Sequence, residues 1–232
     1  PYGSRSIPEV RRYALACLDA LVDMGVKALV IACNTASAAM LDEALDRYGL
    51  PVAEVILPAV RRAVRVSSGQ RLAVLCTEAT ATSHAYDDAL VNANCSLLTV
   101  ACPRFVEFVE NGVTSGDELL AVAEEYLAPV RQSGVDTVIL GCTHYPLLSG
   151  VISYVLGPDI NLVSSSAECA NSTYAMLTKG GLLRPGGVGQ RRFLTTGNPE
   201  RFQALGARLL GQLANPAGPL ANSSYEQVKV QA

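Results

Sequence analysis

The chain has 232 residues, a hydrophobic fraction of 50%, a charged fraction of 17% and a formal net charge of −3. This composition is typical of a well-packed globular protein and excludes a disordered one, and the charge gives no reason to expect nucleic acid or an anionic membrane as a partner. No run approaches the roughly 20 apolar residues of a membrane-spanning helix, and no basic-then-apolar leader indicates secretion.

Strands and helices are predicted to alternate from the start of the chain. Ser6 is a predicted N-cap, and the amphipathic helix that follows runs to about Met24, where Gly25 ends it. The apolar run 28–32 predicts a strand buried on both faces of a parallel sheet. The elements predicted next are helix 36–48, strand 52–56, helix 59–66, strand 71–75, helix 83–93, strand 97–101, helix 105–110, helix 118–133 and strand 137–140. This rhythm predicts parallel sheets with helices on both faces.

The remainder of the chain is less regular. A glycine-rich loop is predicted at 181–189, followed by strand 192–194 and helix 199–213. The weak periodicity of residues 214–232 predicts a mobile tail. Because the chain opens at Pro1 without an initiator Met, we expect an upstream segment that this sequence does not contain.

The cysteines predict free thiols. Their number is odd, they lie far apart without a CxxC pair, and the chain has only two histidines. A disulfide scaffold is therefore not expected, and neither is a zinc site or any other metal site. Reduced thiols favour a cytoplasmic protein. The seven are Cys17, Cys33, Cys76, Cys95, Cys102, Cys142 and Cys169.

Two segments of the chain repeat one pattern without a gap. In Gly25–Thr35 and again in Gly134–His144, a helix ends at Gly-Val, a buried strand follows, and a cysteine stands at the carboxyl end of the strand before a helix. Open parallel sheets bind ligands at the carboxyl ends of their strands. A helix N-terminus also stabilises a thiolate or a substrate carboxylate. Cys33 and Cys142 are therefore predicted to be catalytic.

Two such thiols on opposite sides of a cleft would suit a two-base racemase or epimerase. One would remove a proton from a carbon, and the other would return a proton to the opposite face. The alternative is structural, since a buried cysteine at a strand end is often only a small apolar residue and apolar strands resemble one another by chance. The joint presence of the cysteine, its polar neighbours and its matching position favours catalysis.

The residues around both cysteines resemble the signature segments of bacterial glutamate racemases, in the aspartate/glutamate racemase superfamily. These segments are Val30–Ala36 and Leu140–Leu148, and the motif Gly141–Pro146 is highly specific. Further support comes from Pro1–Gly3, Val55–Ala59, Ala101–Val106 and Ser165–Glu168. The resemblance runs from the first residue to about Gly211, and its last part is similar to actinobacterial members.

The resemblance implies interconversion of L- and D-glutamate, which supplies D-glutamate for peptidoglycan and so for cell wall biogenesis and cell shape. Cys33 and Cys142 match the proton donor and acceptor positions. His144 and Glu110 correspond to the acid/base residues that assist the second thiol. The positions that match substrate-binding residues are Tyr2, Gly3, Asn34, Thr35, Thr77, Thr80, Thr143 and His144.

Several of these residues have structural alternatives. Thr77 and Thr80 could be helix caps, and His144 could be a satisfied core imidazole. Glu110 could be a solvated surface carboxylate. The other five cysteines are interpreted as structural.

The resemblance also implies a fold of two similar doubly wound α/β domains with parallel sheets, related by a pseudo-two-fold axis, with the active site between them. The first domain would comprise residues 1–56 plus 166–213, and the second residues 57–165. The family carries an upstream Asp-Ser-Gly motif, whose Asp assists the first thiol and whose Ser helps to bind substrate; this sequence lacks it. A second departure is Cys76, where the family usually has Gly and where a side chain could crowd the turn before Thr77.

No cofactor is expected. The three lysines, Lys27, Lys179 and Lys229, lack the context of a pyridoxal Schiff-base lysine. The expected partner is a small-molecule substrate, glutamate, with no nucleic acid and no membrane. Dimers are frequent among similar proteins, so a homodimer is allowed. Two other functions stay open, an aspartate-type racemase and a truncated, non-catalytic remnant that binds glutamate or a partner.

Overall fold

The computed structural model describes residues 2–187, 189–210 and 223–230. Strands and helices alternate along these residues, and every pair of neighbouring strands is parallel. Parallel strands need long crossover connections, which helices supply here. The predicted α/β class with parallel sheets is confirmed.

The chain divides into two compact units, which comprise residues 1–15 with 26–182 and residues 16–25 with 183–232. The strands of the first unit are β1 (Leu29–Ile31), β2 (Val52–Glu54), β3 (Arg71–Cys76), β4 (Ser96–Ala101), β5 (Thr137–Gly141) and β6 (Asn161–Ser164). Helix α1 (Ile7–Asp23) begins in this unit, and the later helices are α2 (Asn34–Arg47), α3 (Ile56–Val66), α4 (Glu78–Thr82), α5 (Ala85–Leu90), α6 (Pro103–Glu110), α7 (Asp117–Gln132), a 3₁₀ helix (Tyr145–Leu148), α8 (Ser149–Leu156) and α9 (Ser165–Lys179). The predicted domain boundaries stay a prediction.

The first unit contains two sheets. β1 pairs with β2, and the other four strands form a sheet in the order β4, β3, β5, β6. In that larger sheet Cys76, the last residue of β3, pairs with Gly141, the last residue of β5. The turns that leave these two strands therefore lie side by side, which brings Thr77 next to Cys142.

The four-stranded sheet is buried on both faces, because alternate residues of its central strands enter two different cores. Leu75 and Leu140 pack in one core with α6, α7 and α8. Val74 and Ile139 pack in the other with α3 and α5. Each fully buried leucine or isoleucine contributes about 1.5–3 kcal/mol of transfer free energy, so these strands hold the turns at their ends firmly.

Two glycines end helices as predicted. Gly25 follows α1 and Gly134 follows α7, with φ angles of 75° and 68°. This left-handed conformation carries no steric penalty for glycine, and it turns the chain into β1 and β5. Both copies of the repeated pattern therefore have the predicted order of helix, glycine, strand and cysteine.

A carboxylate at the start of β5 anchors that strand. Asp136 accepts hydrogen bonds from the hydroxyls of Ser67, Ser68 and Thr137 and from the backbone N–H of Gly69. Burial alone would raise the pKa of Asp136, but the hydrogen bonds, led by those from Ser67 and Gly69, lower it to about 2.

Two local predictions are wrong. The strand expected to be buried on both faces is not, since Val30 in the middle of β1 is 42% exposed and β1 pairs only with β2 among the described residues. The helix expected at 83–93 is reduced to α5, and a separate short helix that was not predicted, α4, precedes it. His84 between them has a φ of 57°, and the Ser83 hydroxyl accepts the N–H of Ala85, which turns the chain.

The second unit contains β7 (Arg191–Thr195), α10 (Pro199–Leu210) and β8 (Ser223–Gln227). β8 pairs in parallel with β7, and Arg192 donates two hydrogen bonds to Glu226 across them. This strand falls in the predicted mobile tail, of which 214–222 and 231–232 lie outside the described residues, as does the predicted helix end at 211–213. No helix in the described ranges is long and apolar enough to cross a membrane.

Candidate active site

A cavity of about 420 Å³ lies where β1, β3, β4 and β5 end. Its lining consists of residues that follow these strands, together with the start of the chain. The lining residues are Tyr2, Gly3, Ser4, Cys33, Asn34, Thr35, Thr77, Glu78, Pro103, Val106, Glu107, Cys142, Thr143 and His144. A larger open groove of about 780 Å³ runs along α2 and contains none of the predicted site residues.

All but two of the predicted site residues line this cavity. The exceptions are Thr80 and Glu110, and each hydrogen-bonds to a residue that does line it. Both cysteines singled out by the repeated pattern are included. The structure therefore brings together residues that lie more than a hundred positions apart in the sequence.

Cys33 stands at the N-cap position of α2. Its backbone is extended, and its carbonyl accepts the first helical hydrogen bond, from the N–H of Ser37 at 2.9 Å. The side chain is half-buried, and among the described residues its thiol has no hydrogen-bond partner. The backbone N–H groups at the start of this 14-residue helix create a partial positive charge, which favours a bound anion such as a carboxylate.

Cys142 has a different environment. Its side chain is buried, and its Sγ lies 3.7 Å from Nδ1 of His144. The other ring nitrogen, Nε2, lies 3.1 Å from a carboxylate oxygen of Glu110, near the end of α6. The three side chains form a continuous chain from the cavity to the carboxylate. Such an arrangement orients an imidazole so that it can exchange a proton with a thiol.

The electrostatics of Cys142 favour the neutral thiol. Burial raises the pKa of Cys142 to about 12, although backbone hydrogen bonds from His144 and Tyr145 act in the opposite direction. Proximity to Cys33 raises it further. At neutral pH Cys142 therefore holds its proton, and it needs a nearby acceptor if it is to act as a base.

Three threonine hydroxyls form a triangle at one end of the cavity. The Oγ1 atoms of Thr35, Thr77 and Thr80 are all 3.0 Å from one another. Thr77 also caps α4, because its hydroxyl accepts the backbone N–H of Thr80 at 3.3 Å. All three are buried, and Thr80 lies behind the other two. The predicted capping alternative for Thr77 is therefore compatible with a place in the cavity wall.

The start of the chain is seated against this triangle. The carbonyl of Gly3 accepts the backbone N–H of Ala79 at 3.1 Å. A Cβ atom on Gly3 would lie 2.8 Å from Cγ2 of Thr77, closer than real contacts allow. Only glycine therefore fits here while the cavity wall keeps its shape.

The model of the Asp/Glu/Hydantoin racemase family matches residues 1–171. The chain belongs to this family. A glutamate racemase of Mycobacterium ulcerans, an actinobacterium, is 56% identical over 226 residues, which cover 96% of this chain and 83% of the relative.

Solved structures agree with this assignment. A glutamate racemase isoform from Bacillus anthracis is 33% identical with a TM-score of 0.91, covering 99% of this chain and 84% of its own. A glutamate racemase from Francisella tularensis, in complex with D-glutamate, is 29% identical with a TM-score of 0.85, covering 100% and 83%. These likenesses confirm the predicted resemblance and the α/β racemase fold.

The racemase-family site contains buried residues that the sequence did not predict. Tyr86 donates a hydrogen bond from its hydroxyl to Oδ1 of Asn34 at 2.6 Å, and Ser165 accepts one from Nδ2 at 3.2 Å. The Tyr145 hydroxyl lies within hydrogen-bond distance of the carbonyls of Cys102 (2.8 Å) and Cys76 (3.0 Å). Nothing in the local sequence pattern marks Tyr86 as a contact of Asn34.

The departures from the family pattern can also be located. Cys76 is fully buried in the core between the sheet and α3, and burial raises its pKa to about 12.

All seven cysteines are free thiols. Within the described ranges, no group of three or more His, Cys, Asp or Glu side chains is placed to hold a metal ion.

Proposed function

We propose that this chain interconverts L- and D-glutamate without a cofactor, using Cys33 and Cys142 as two opposed acid/base groups. The observation that carries the proposal is one cavity whose wall contains both thiols at strand ends. The relatives reported above, which are glutamate racemases, support glutamate as the substrate. The cavity volume suits a small amino acid.

The proposed reaction transfers two protons. The thiolate of one cysteine takes the α-proton, forming an S–H bond while the electron pair of the broken C–H bond stays on the α-carbon. The thiol of the other cysteine then gives its proton to the opposite face and becomes the thiolate. After one turnover the protonation states of Cys33 and Cys142 are exchanged, so the enzyme is ready for the reverse direction.

His144 and Glu110 would provide the proton acceptor that Cys142 needs. A buried thiol with a pKa of about 12 is a poor source of thiolate at neutral pH. Transfer of its proton to Nδ1 of His144 produces the thiolate, and the carboxylate of Glu110 stabilises the resulting imidazolium through Nε2. When Cys142 acts as the acid, the same contacts return the proton.

Substrate would be held by the polar groups around the thiols. Thr35 and Thr77 present hydroxyls, and Asn34 presents an amide beside Cys33. Tyr2 and Gly3 contribute the start of the chain. Because the α-proton of an amino acid is very weakly acidic, fixed dipoles in a cavity closed to water would stabilise the developing carbanion.

The proposal extends to the role of the protein. Racemisation would supply D-glutamate for peptidoglycan, and so support cell wall biogenesis and cell shape. The reaction would take place in the cytoplasm, where free thiols such as Cys33 and Cys142 stay reduced. A homodimer is compatible with the proposal.

The direct test is α-proton exchange of L-glutamate in deuterated water, followed by NMR without added pyridoxal phosphate. We expect exchange together with accumulation of D-glutamate. Cys33→Ser should abolish accumulation, whereas Cys95→Ser, at a half-buried thiol outside the cavity, should leave it unchanged. Faster exchange of aspartate than of glutamate would instead identify an aspartate-type racemase. Binding of glutamate without exchange would identify a non-catalytic protein.

A further inference from the structure

The orientation of one side chain decides what the cavity offers beside Cys33. Asn34 lines the cavity and is only 2% exposed. Its amide has an oxygen that accepts hydrogen bonds and a nitrogen that donates two. The end that faces the cavity determines whether a bound molecule meets a donor or an acceptor.

Two buried hydroxyls determine this orientation. Ser165 donates its single hydroxyl hydrogen to the backbone carbonyl of Leu140 at 2.8 Å, so towards Asn34 it can only accept. The Ser165 hydroxyl oxygen must therefore accept a hydrogen bond from Nδ2 of Asn34, which lies 3.2 Å away. The Tyr86 hydroxyl then donates to Oδ1 at 2.6 Å. With the amide reversed, Oδ1 would face a Ser165 oxygen that has no hydrogen to donate.

Both hydroxyls are held in place by their surroundings. Ser165 is fully buried at the start of α9, and Tyr86 is 2% exposed in the core beneath α3. A Cβ atom on Gly141 would lie 3.2 Å from the Tyr86 hydroxyl oxygen and 2.7 Å from a methyl group of Val74. The glycine that precedes Cys142 therefore makes room for the hydroxyl that orients Asn34.

We infer that Tyr86 and Ser165 are positioning residues that lock the Asn34 amide with its second Nδ2 hydrogen directed into the cavity. That hydrogen has no partner among the described residues, since Nδ2 bonds only to Ser165. The wall beside Cys33 thus presents a hydrogen-bond donor, which can donate to a carboxylate oxygen and disfavours an ammonium group. This inference rests on the proposed function only for the identity of the bound carboxylate.

The fixed orientation of the Asn34 amide, called the lock below, is tested in the free protein, without substrate. In ¹⁵N-labelled full chain, the Asn34 side-chain amide signals are assigned by their absence in Asn34→Ala. We expect Tyr86→Phe to speed solvent exchange of these protons by about tenfold, because the unpaired oxygen lets the amide rotate. Tyr154→Phe, at an exposed tyrosine, is the matched control and should leave the rate unchanged. Unchanged exchange in Tyr86→Phe would overturn the lock.

The function of the lock is tested by calorimetric titration with L-glutamate. Tyr86→Phe should weaken binding by about tenfold, and Ser165→Ala by a smaller factor, with little change in melting temperature. In an Asn34→Ala background, Tyr86→Phe should have no further effect, since the amide it orients is absent. An equal loss in both backgrounds would mean that Tyr86 acts only through packing. Absence of binding to the wild-type chain would sink the glutamate proposal, and the amide exchange would still decide the lock.

Discussion

The two turns that carry Cys33 and Cys142 come from the same sequence pattern, yet they place their thiols in unlike surroundings. β1 has three residues, one of them exposed, whereas all five residues of β5 are buried. Cys33 is half-buried at the start of a 14-residue helix. Cys142 is buried before a four-residue 3₁₀ helix, with His144 and Glu110 behind it.

The difference shows that one sequence pattern can place a thiol in two kinds of surroundings. Among the described residues, Cys33 is flanked by the backbone N–H groups at the start of α2 and makes no side-chain hydrogen bond. At Cys142 a short 3₁₀ turn stands in place of a long helix, and in the proposed reaction proton transfer depends on the side chains of His144 and Glu110. Single substitutions can remove the side chains beside Cys142, whereas the backbone N–H groups beside Cys33 do not depend on a side chain. Substitutions can therefore test whether the two thiols differ in function.

The largest effect is expected from removing either thiol. Cys33→Ser and Cys142→Ser should each lower racemisation by about 10³-fold or more, because a serine hydroxyl is far less acidic than a thiol. Each variant should still exchange the α-proton of one enantiomer with solvent, and the enantiomer should differ between the two. NMR of both enantiomers in deuterated water measures this. Exchange of the same enantiomer by both variants would contradict opposed thiols.

Glu110→Gln should act on one thiol only. Loss of the carboxylate destabilises an imidazolium at His144, so we expect kcat to fall by about 10²-fold with little change in KM. The α-deuterium isotope effect should increase for the enantiomer that Cys142 deprotonates and not for the other. Glu124→Gln, at an exposed position on α7, is the matched control. Equal isotope effects for both enantiomers would mean that Glu110 also serves Cys33.

The hydroxyl triangle links the turn of Cys33, which contains Thr35, to the turn after β3, whose Thr77 lies beside the end of β5. Thr80→Val removes the hydroxyl behind them and should weaken glutamate binding by about fivefold, equivalent to roughly 1 kcal/mol. Calorimetry measures this. The matched control is Thr99→Val, because the Thr99 hydroxyl is buried without a partner in the described structure. That variant should bind normally and be at least as stable; an equal loss of binding there would refute the role of Thr80.

The anchor of β5 should affect the stability of the fold and have the smallest effect on the reaction. Asp136→Asn should lower the free energy of unfolding at pH 7 by about 1–2 kcal/mol, because the hydrogen bonds lose their charged acceptor. The pKa of Asp136 is lowered in the folded state, so its contribution is complete above about pH 4 and is lost as the pH falls towards 2. Urea unfolding at pH 7 and pH 3 should therefore show a smaller difference between variant and wild type at the lower pH. A pH-independent difference would argue against the carboxylate as its cause.

Features set by neighbouring residues could be predicted from the sequence. The cysteines at the strand ends, the glycines that end α1 and α7, and His144 beside Cys142 all follow from local patterns. Contacts between distant residues could not. Tyr86 reaches Asn34 across 52 positions, and its helix carries no pattern that distinguishes this contact from core packing. The parallel pairing of β8 with β7 likewise depends on residues far apart in the chain. The left-handed conformation of His84 is a local feature, but the sequence pattern of 83–93 does not indicate it.

The unlike surroundings of Cys33 and Cys142 have a consequence that thermodynamics imposes. Mirror-image molecules have the same free energy in water, so the equilibrium constant between L- and D-glutamate is unity. The ratio kcat/KM must then be equal in the two directions, however different the groups on the two sides of the cavity are. Any increase in kcat that His144 and Glu110 give to one direction has to be matched by a proportionally higher KM in that direction. The enantiomer that is converted faster at saturation must therefore also saturate the enzyme at a higher concentration.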